Sequence, residues 1–225
     1  MSACDGGFRV IAMILAAGQG ERLRPVTEKV PKALVEVRGE SLLERHLRAI
    51  SAAGIDTAII NLGWLGEKIV ERIGSGSRYG LDVIYSPEGD NILETGGGIL
   101  RALPLLGQDP FLVVNADVYT DMPLPTNALA TQDLAHLVLV PTPAFKKAGD
   151  FALRGTRVGN DGTSLLTFSG IGVYRHELFA GCQAGRFPLA PLLRAAAASG
   201  RAGGQLYTGV WSDVGTPERL AELNS

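Results

Sequence analysis

Short apolar runs alternate with amphipathic stretches along the first half of the chain. Runs rich in valine, isoleucine and leucine, typical of strands buried on both faces, occupy residues 10–15, 57–61, 81–85 and 111–115. Between these runs, apolar residues recur at helical spacing, which predicts a helix from Leu42 that ends at Gly54 and further helices over 64–73 and 94–106. This alternation predicts βαβ units and a parallel sheet covered on both faces.

The pattern changes near residue 122, where prolines begin to punctuate the chain. Strands are predicted at 136–140, 151–153, 157–158, 165–174 and 205–211. Helices are predicted at 189–199 and at 217–223, the second begun by Thr216 as N-cap. We therefore predict an α/β fold with a mixed, mostly parallel sheet, flanked by helices, and an antiparallel excursion in the second half.

The first predicted strand leads into a loop of small residues followed by cations. The loop runs from Leu15 through Ala16, Ala17 and Gly18 to Gly20, and Arg22 and Lys32 follow. A strand that feeds such a loop is typical of sites that hold phosphate groups. Leu23 stands where a dinucleotide-binding motif has its third glycine, and no P-loop sequence occurs. The sequence thus indicates a site for a nucleotide or another phosphorylated ligand.

Two aspartates follow apolar strands and are candidate metal ligands. Asp117 comes directly after the strand 111–115, and Asp213 follows the strand 205–211. A carboxylate at the end of a buried strand is costly unless it is paired, and a divalent cation that bridges to substrate phosphates is one such partner. A turn or N-cap role is the competing explanation for each. The two lie 96 positions apart, so only the fold could bring them together.

Three consecutive glycines, Gly96, Gly97 and Gly98, follow Thr95 at the start of a predicted helix. Each costs about 1 kcal/mol of helix stability relative to alanine. Such a run suggests that a ligand approaches the backbone closely, and a tight helix–strand crossing is the alternative.

The composition narrows the class of protein. At 225 residues the chain fits a single domain, expected over 10–225, and residues 1–9 are expected to be a flexible start without signal-peptide features. The net charge of −2 argues against nucleic-acid binding, and no apolar run reaches the ~18 residues of a membrane span. Two cysteines form no framework, which suits a cytoplasmic protein.

Taken together, these segments resemble the sugar-1-phosphate nucleotidylyltransferase family. The matching pieces are Leu-Ala-Ala-Gly-x-Gly-x-Arg-Leu-x-Pro-x-Thr at 15–27, Pro-Lys at 31–32, Thr-Gly at 95–96, Val-Asn-Ala-Asp at 114–117 and Trp-x-Asp-Val-Gly-Thr-Pro at 211–217. The resemblance implies a Rossmann-like fold with a nucleotide-binding half, 10–122, and a sugar-binding half, 123–225. It also implies that a sugar 1-phosphate attacks the α-phosphorus of a nucleoside triphosphate in a Mg²⁺-dependent reaction.

The resemblance also implies roles for particular residues. Arg22, Lys32, Asp117 and Asp213 would be catalytic, with the two aspartates holding Mg²⁺. The nucleotide would contact Leu15, Ala16, Ala17, Gly18, Gly20, Glu88, Thr95 and Gly96. The sugar would contact Gly97, Asn115, Asp150 and Ser169, although a turn role for Asp150 is an equal alternative.

The segments 85–89, 93–99 and 166–171 resemble short members of the family that act on N-acetylmuramic acid 1-phosphate. This implies transfer of UMP from UTP, with UDP-N-acetylmuramate and pyrophosphate as products, in peptidoglycan recycling. If Glu88 faces the base, its carboxylate favours uracil or guanine over cytosine, because it accepts but does not donate hydrogen bonds. The alternatives are a mannose-1-phosphate guanylyltransferase, another hexose-1-phosphate enzyme, and a catalytically silent sugar-nucleotide-binding regulator. The resemblance implies a monomer or weak dimer.

Overall fold

A nine-stranded sheet organises the part of the chain that the computed structural model describes, residues 10–89 and 92–225. The predicted flexible segment 1–9 lies outside the described residues. The strands are β1 (Ala12–Leu15), β2 (Glu36–Val37), β3 (Glu40–Ser41), β4 (Thr57–Leu62), β5 (Asp82–Pro87), β6 (Phe111–Asn115), β7 (Val118–Thr120), β8 (Ala135–Val140), β9 (Ala152–Arg154), β10 (Arg157–Gly159), β11 (Thr167–Tyr174), β12 (Ala202–Leu206) and β13 (Trp211–Asp213). The helices are α1 (Leu42–Ala52), α2 (Gly66–Ile73), α3 (Glu94–Ala102), α4 (Ala190–Ala198) and α5 (Pro217–Asn224).

The strand order in the large sheet is β5-β4-β1-β6-β11-β8-β12-β10-β9, and β11 and β10 run opposite to the others. The prediction of a mixed, mostly parallel sheet is confirmed. Because β11 pairs with β6, strands from both predicted halves share one sheet. β13 pairs with β7, and β2 with β3, in two separate small sheets.

The core lies on both faces of the sheet, as the apolar runs predict. Neighbouring residues of one strand enter opposite layers: Met13 packs with Ile59 on one face, while Ile14 packs with Ile60 on the other. Helix α1 covers one face, and α4 covers the other. A strand covered on both sides needs apolar residues at every position, which is why these strands read as continuous apolar runs. None of the helices in the described residues has the length and apolar content to cross a membrane.

Several predicted elements differ from the structure in their bounds, and three of these differences have a physical reason in the local backbone or in strand pairing. The strand predicted at 205–211 is wrong as one element: the chain leaves the large sheet after Leu206 and pairs elsewhere as β13. Helix α2 begins at Gly66 rather than 64, because Leu65 has a φ of 54° in the left-handed region. Helix α3 ends at Ala102, and Pro104 lies in a 3-10 turn, since proline cannot donate the helical hydrogen bond.

The buried carboxylate of Glu44 connects helix α1 to Arg72 of helix α2 and to Tyr79. Ser41 is the N-cap of α1 and accepts a hydrogen bond from the backbone N–H of Glu44. The Glu44 carboxylate accepts hydrogen bonds from Arg72 of α2 at 3.0 Å, from the Tyr79 hydroxyl at 2.8 Å and from the Ser41 hydroxyl at 2.8 Å. Burial alone would raise the pKa of Glu44, but the hydrogen bonds from Arg72, Tyr79 and Ser41 outweigh it and hold that pKa at about 2, below the ordinary 4.5.

We predict that Glu44→Gln lowers the free energy of unfolding by about 2 kcal/mol at pH 7, because it removes a buried charge from its hydrogen-bonded partners. The pKa of Glu44 is lowered in the folded state, so this contribution is complete above pH 4.5 and disappears as the pH falls toward 2. Urea unfolding at pH 7 and pH 3 measures it, with the exposed α2 residue Glu67→Gln as control. An equal gap between wild type and Glu44→Gln at both pH values would contradict the prediction.

Candidate active site

A cleft of about 590 Å³ opens where the carboxyl ends of β1, β4 and β6 meet. Ligands of open α/β sheets bind at this position. Many of the predicted site residues line the cleft together: Leu15, Ala16, Ala17, Gly18, Gly20, Arg22, Lys32, Glu88, Thr95, Asn115 and Asp117. The loop and the distant Asp117 therefore face one cavity.

Asn61, at the end of β4, joins two walls of this cleft and was missed in the sequence. Its side-chain oxygen accepts a hydrogen bond from the Ala16 N–H at 2.6 Å, and its amide nitrogen donates to Glu88 at 2.6 Å. The second oxygen of Glu88 accepts from the Leu93 N–H at 2.8 Å. Asn61 and Glu88 are 3% and 5% exposed, so few water molecules compete for these bonds. A signal existed, because Asn61 ends an apolar strand just as Asn115 does.

Contacts with Thr27 hold the end of the loop after β1 in place. Gly20 has a φ of 64°, and a Cβ there would lie 2.8 Å from Thr27, whose hydroxyl donates to the Gly20 carbonyl at 2.8 Å. The backbone N–H groups of Gly18, Gln19 and Gly20 have no acceptor among the described residues. Successive unpaired N–H groups in a loop that lines a cleft are a candidate site for an anion.

An ion pair joins Asp117, which follows β6, to Lys32, which lies beyond the loop after β1. The Lys32 ammonium lies 2.5 Å from Asp117 Oδ2, and both side chains are largely shielded from solvent. Arg22, in the adjoining 3-10 turn, also lines the cleft but has no ion-pair or hydrogen-bond partner within the described part of the chain. The guanidinium of Arg22 is therefore free to bind a phosphate.

Pairing of β7 with β13 brings Asp213 beside Asp117. Asp213 lies opposite Val118 in this pair, and the Val214 N–H donates to the Asp117 carbonyl at 2.8 Å. The carboxylate of Asp213 forms an ion pair with Arg219 of α5 through Oδ1. Asp213 itself does not line the cleft, but its neighbour Gly215 does. The two candidate ligands are thus neighbours across a strand pair despite their separation in sequence.

The donor set fits one hard divalent cation. Asp117 uses Oδ2 for Lys32, and Asp213 uses Oδ1 for Arg219, so each carboxylate keeps a second oxygen outside these pairs. Carboxylate oxygens are the ligands that Mg²⁺ prefers, and it commonly takes one or two of them together with phosphates and water. No group of three or more acidic, histidine or cysteine side chains able to hold a metal occurs among the residues described. Substrate and water would therefore supply the remaining ligands.

The glycine run packs against protein. A Cβ at Gly96 would lie 2.4 Å from the Phe187 ring, one at Gly97 2.1 Å from the Gly185 carbonyl oxygen, and one at Gly98 2.6 Å from Glu88. The N–H groups of Gly96 and Gly97 both donate to the Phe187 carbonyl. Close packing against the segment 185–187 and Glu88 accounts for all three glycines, but that segment is not a strand, so the predicted alternative of a helix–strand crossing is wrong in its partner. Gly96 and Gly97 do not line the cleft, and their ligand contacts stay predictions.

The segment that packs on the glycines also places a cation at the cleft. Arg186 lines the cleft and donates to Glu94 at 2.8 Å. Glu94 is held at a φ of 59°, which is uncommon for a residue other than glycine. Thr95 accepts a hydrogen bond from the Leu189 N–H at 3.0 Å. Neither Glu94 nor Arg186 was predicted as a site residue, because nothing in the sequence near 186 indicates this contact.

Two predicted sugar contacts lie away from the cleft wall. Asp150 accepts hydrogen bonds from Lys146 at 2.5 Å and from the Phe168 N–H at 2.9 Å, which matches the turn role considered for it. Ser169 is fully buried, its hydroxyl accepts from the Ile171 N–H, and its carbonyl accepts from the Trp211 indole. The structure does not bring these two side chains to the cavity that holds Asp117.

His46 lies on α1 near Asp117 but is not an acid or base of the site. It is fully buried, and desolvation lowers its pKa to about 4 although the Asp117 charge acts in the opposite direction. The imidazole is neutral near pH 7 and packs as part of the core.

Comparisons with known proteins show the family and the fold of this chain. The nucleotidyl transferase family model matches residues 11–149. An N-acetylmuramate α-1-phosphate uridylyltransferase from Neisseria meningitidis is 47% identical, over 95% of this chain and 96% of that protein. A protein of the same name from Caulobacter vibrioides is 34% identical, over 94% and 97%. A structure from Bacillus anthracis, assigned as a glucose-1-phosphate thymidylyltransferase, shares the fold with a TM-score of 0.85, over 96% of this chain and 94% of that one, at 19% identity.

We predict that Asn61→Ala weakens binding of a nucleoside triphosphate and lowers the free energy of unfolding by about 2 kcal/mol. The substitution leaves the buried Ala16 N–H and one Glu88 oxygen without partners, which costs about 1–3 kcal/mol for each buried group. Calorimetric titration and urea unfolding measure the two effects. Asn127→Ala, at an exposed asparagine, is the matched control. Wild-type affinity in Asn61→Ala would show that Asn61 does not hold the loop.

Proposed function

We propose that this chain, which belongs to the nucleotidyl transferase family, transfers UMP from UTP to N-acetylmuramic acid 1-phosphate. The products are UDP-N-acetylmuramate and pyrophosphate. The observation that carries the substrate assignment is the similarity, over nearly the whole chain, to the uridylyltransferase of Neisseria meningitidis. The cleft supports the reaction type, because it combines a phosphate loop, cations and Asp117, with Asp213 on the neighbouring strand.

In this reaction an oxygen of the sugar phosphate attacks the α-phosphorus of UTP. A bond forms between them, the bond to the oxygen that leads to the β-phosphorus breaks, and pyrophosphate leaves with that bonding pair. Such transfers need positioning and charge neutralisation rather than a covalent protein intermediate. The Gly18–Gly20 loop would bind the phosphates through its free N–H groups, and Arg22 would neutralise charge on the leaving pyrophosphate.

Lys32 and the two aspartates would act at the reacting phosphorus. Lys32 lies between the loop and Asp117, where its ammonium can pass from the carboxylate to the α-phosphate. Asp117 and Asp213 would hold Mg²⁺ through their remaining oxygens. When bound, Mg²⁺ supplies the positive charge that lets two phosphorylated substrates approach one another.

The charge inventory of the cleft supports a need for this cation. Lys32 and Arg186 each have a carboxylate partner, and Arg22 is the cleft-lining cation without one among the described residues. UTP and the sugar phosphate together carry several negative charges. One unpaired guanidinium does not balance them, so we include a divalent ion in the proposal.

The remaining contacts would set specificity. Asn115 ends β6 on the cleft wall beside Gly170, whose missing Cβ leaves room for the Asn115 side chain. We assign Asn115 to the sugar. We assign Glu88, with Thr95, to the base, where a second lone pair on each carboxylate oxygen can accept from uracil N3–H, whereas cytosine N3 has no hydrogen to donate.

We predict that pyrophosphate release is fastest with UTP and N-acetylmuramic acid 1-phosphate, by about tenfold or more over other pairs, because hydrogen-bonded recognition discriminates at least this strongly. The assay crosses four nucleoside triphosphates with several sugar 1-phosphates. EDTA should abolish release, and MgCl₂ should restore it.

Three results would contradict the proposal or part of it. Faster release with GTP and mannose 1-phosphate would establish the guanylyltransferase alternative. Binding of UDP-N-acetylmuramate without release from any pair would establish the silent regulator. CTP used as well as UTP would remove the base-reading role of Glu88.

A further inference from the structure

Phe145 is an apolar ring with an unusual setting. It lies in the segment 141–150 between β8 and β9, and at 56% it is the most exposed large apolar side chain among the described residues. The guanidinium carbon of Arg219 lies 4.2 Å from the centre of its ring. A cation stacked on an aromatic face at this distance is attracted by the ring. The exposed ring therefore has a partner on helix α5.

Arg219 also contacts a proposed metal ligand. Its Nη1 donates to Asp213 Oδ1 and, at 3.0 Å, to the Asp213 backbone carbonyl. The Arg219 side chain is only 13% exposed, unlike most of the paired arginines on this protein. The backbone N–H of Arg219 donates to Thr216, the N-cap of α5. Arg219 is thus held at its backbone N–H by Thr216 and at its guanidinium by Asp213.

The absence of a side chain at Gly215 completes the arrangement. A Cβ at Gly215 would lie 2.9 Å from Arg219 Nη2 and 3.2 Å from Asp213 Oδ2. Because Gly215 lines the cleft, the second oxygen of Asp213 lies just behind the cleft wall. Arg219 holds Oδ1, and Oδ2 remains for a cation.

We propose that Phe145 and Arg219 are positioning residues, which together orient Asp213 so that Oδ2 faces the divalent ion. The inference rests on the proposed function, since it takes Asp213 as a metal ligand. The planar guanidinium donates twice to Asp213 from Nη1 while its face lies on the Phe145 ring, and a lysine offers no plane that can stack on the ring. The Phe145 ring sets the plane of the Arg219 guanidinium, and that guanidinium sets the orientation of the Asp213 carboxylate.

Charge-conserving variants test this, because they change orientation and leave the electrostatic field of the site intact. Phe145→Leu keeps an apolar side chain without the ring, Phe145→Tyr keeps the ring, and Arg219→Lys keeps the charge without the planar group that stacks on the ring. Val210→Ala, at another exposed apolar position, is the control. Binding of Mn²⁺ to the enzyme with UTP is followed by the electron paramagnetic resonance signal of free Mn²⁺.

We expect Mn²⁺ affinity to fall about threefold in Phe145→Leu and about tenfold in Arg219→Lys, as is usual when a group behind a metal ligand is lost. Phe145→Tyr and Val210→Ala should match wild type. In turnover assays, kcat should fall with Mn²⁺ affinity while KM for UTP stays within about twofold, because the contacts to the base are untouched.

Wild-type Mn²⁺ affinity in both Phe145→Leu and Arg219→Lys would overturn the inference, as would an equal loss in Phe145→Tyr. The titration needs no sugar phosphate, so it separates this inference from the assigned substrate. Ring-dependent Mn²⁺ binding in an enzyme that does not use N-acetylmuramic acid 1-phosphate would support the positioning role and contradict the proposed substrate.

Discussion

The pairing of two short strands is the constraint on which the candidate site depends, because it brings the backbones of two aspartates from distant parts of the chain next to each other. The pairing of β7 with β13 brings Asp117 and Asp213 together, and each then has its own cation: Lys32 from the loop side and Arg219 from α5. The pairs place a positive charge beside each carboxylate. Each carboxylate keeps one oxygen for the divalent ion that the proposed reaction requires.

On the other side of the cleft, hydrogen bonds that involve backbone groups matter more than ion pairs between charged side chains. Asn61 links the loop after β1 to Glu88 through two buried hydrogen bonds, and Glu88 in turn holds the start of α3. Glycines allow these segments to meet, and the run at 96–98 admits Phe187, Gly185 and Glu88 to close contact. These contacts leave the N–H groups of Gly18, Gln19 and Gly20 without an acceptor among the described residues.

Much of the fold could be predicted because buried strands appear in the sequence as continuous apolar runs. The strand Phe111–Asn115 and the N-cap Thr216 agree with prediction because they depend on local sequence. The strand β13 depends on long-range pairing with β7, which no short pattern encodes, and the hairpin of β2 and β3 is too short to give a periodic signal. In the site, the loop, Lys32 and Asp117 could be found from motif chemistry. Asn61 carried only the weak signal of an asparagine at the end of an apolar strand. Arg186 and the stacking of Arg219 on Phe145 could not be found, because Glu94 and Phe145 lie far from these arginines in sequence.

The central claim is that Asp117 and Asp213 hold one shared cation, and a double-mutant cycle tests it most directly. The kcat for UMP transfer from UTP is measured for Asp117→Asn, for Asp213→Asn and for the double variant. If both carboxylates serve one ion, either single change should lower kcat by about a hundredfold or more, and the second change should add little. Losses that multiply in the double variant, or full activity in either single variant, would contradict a shared ion.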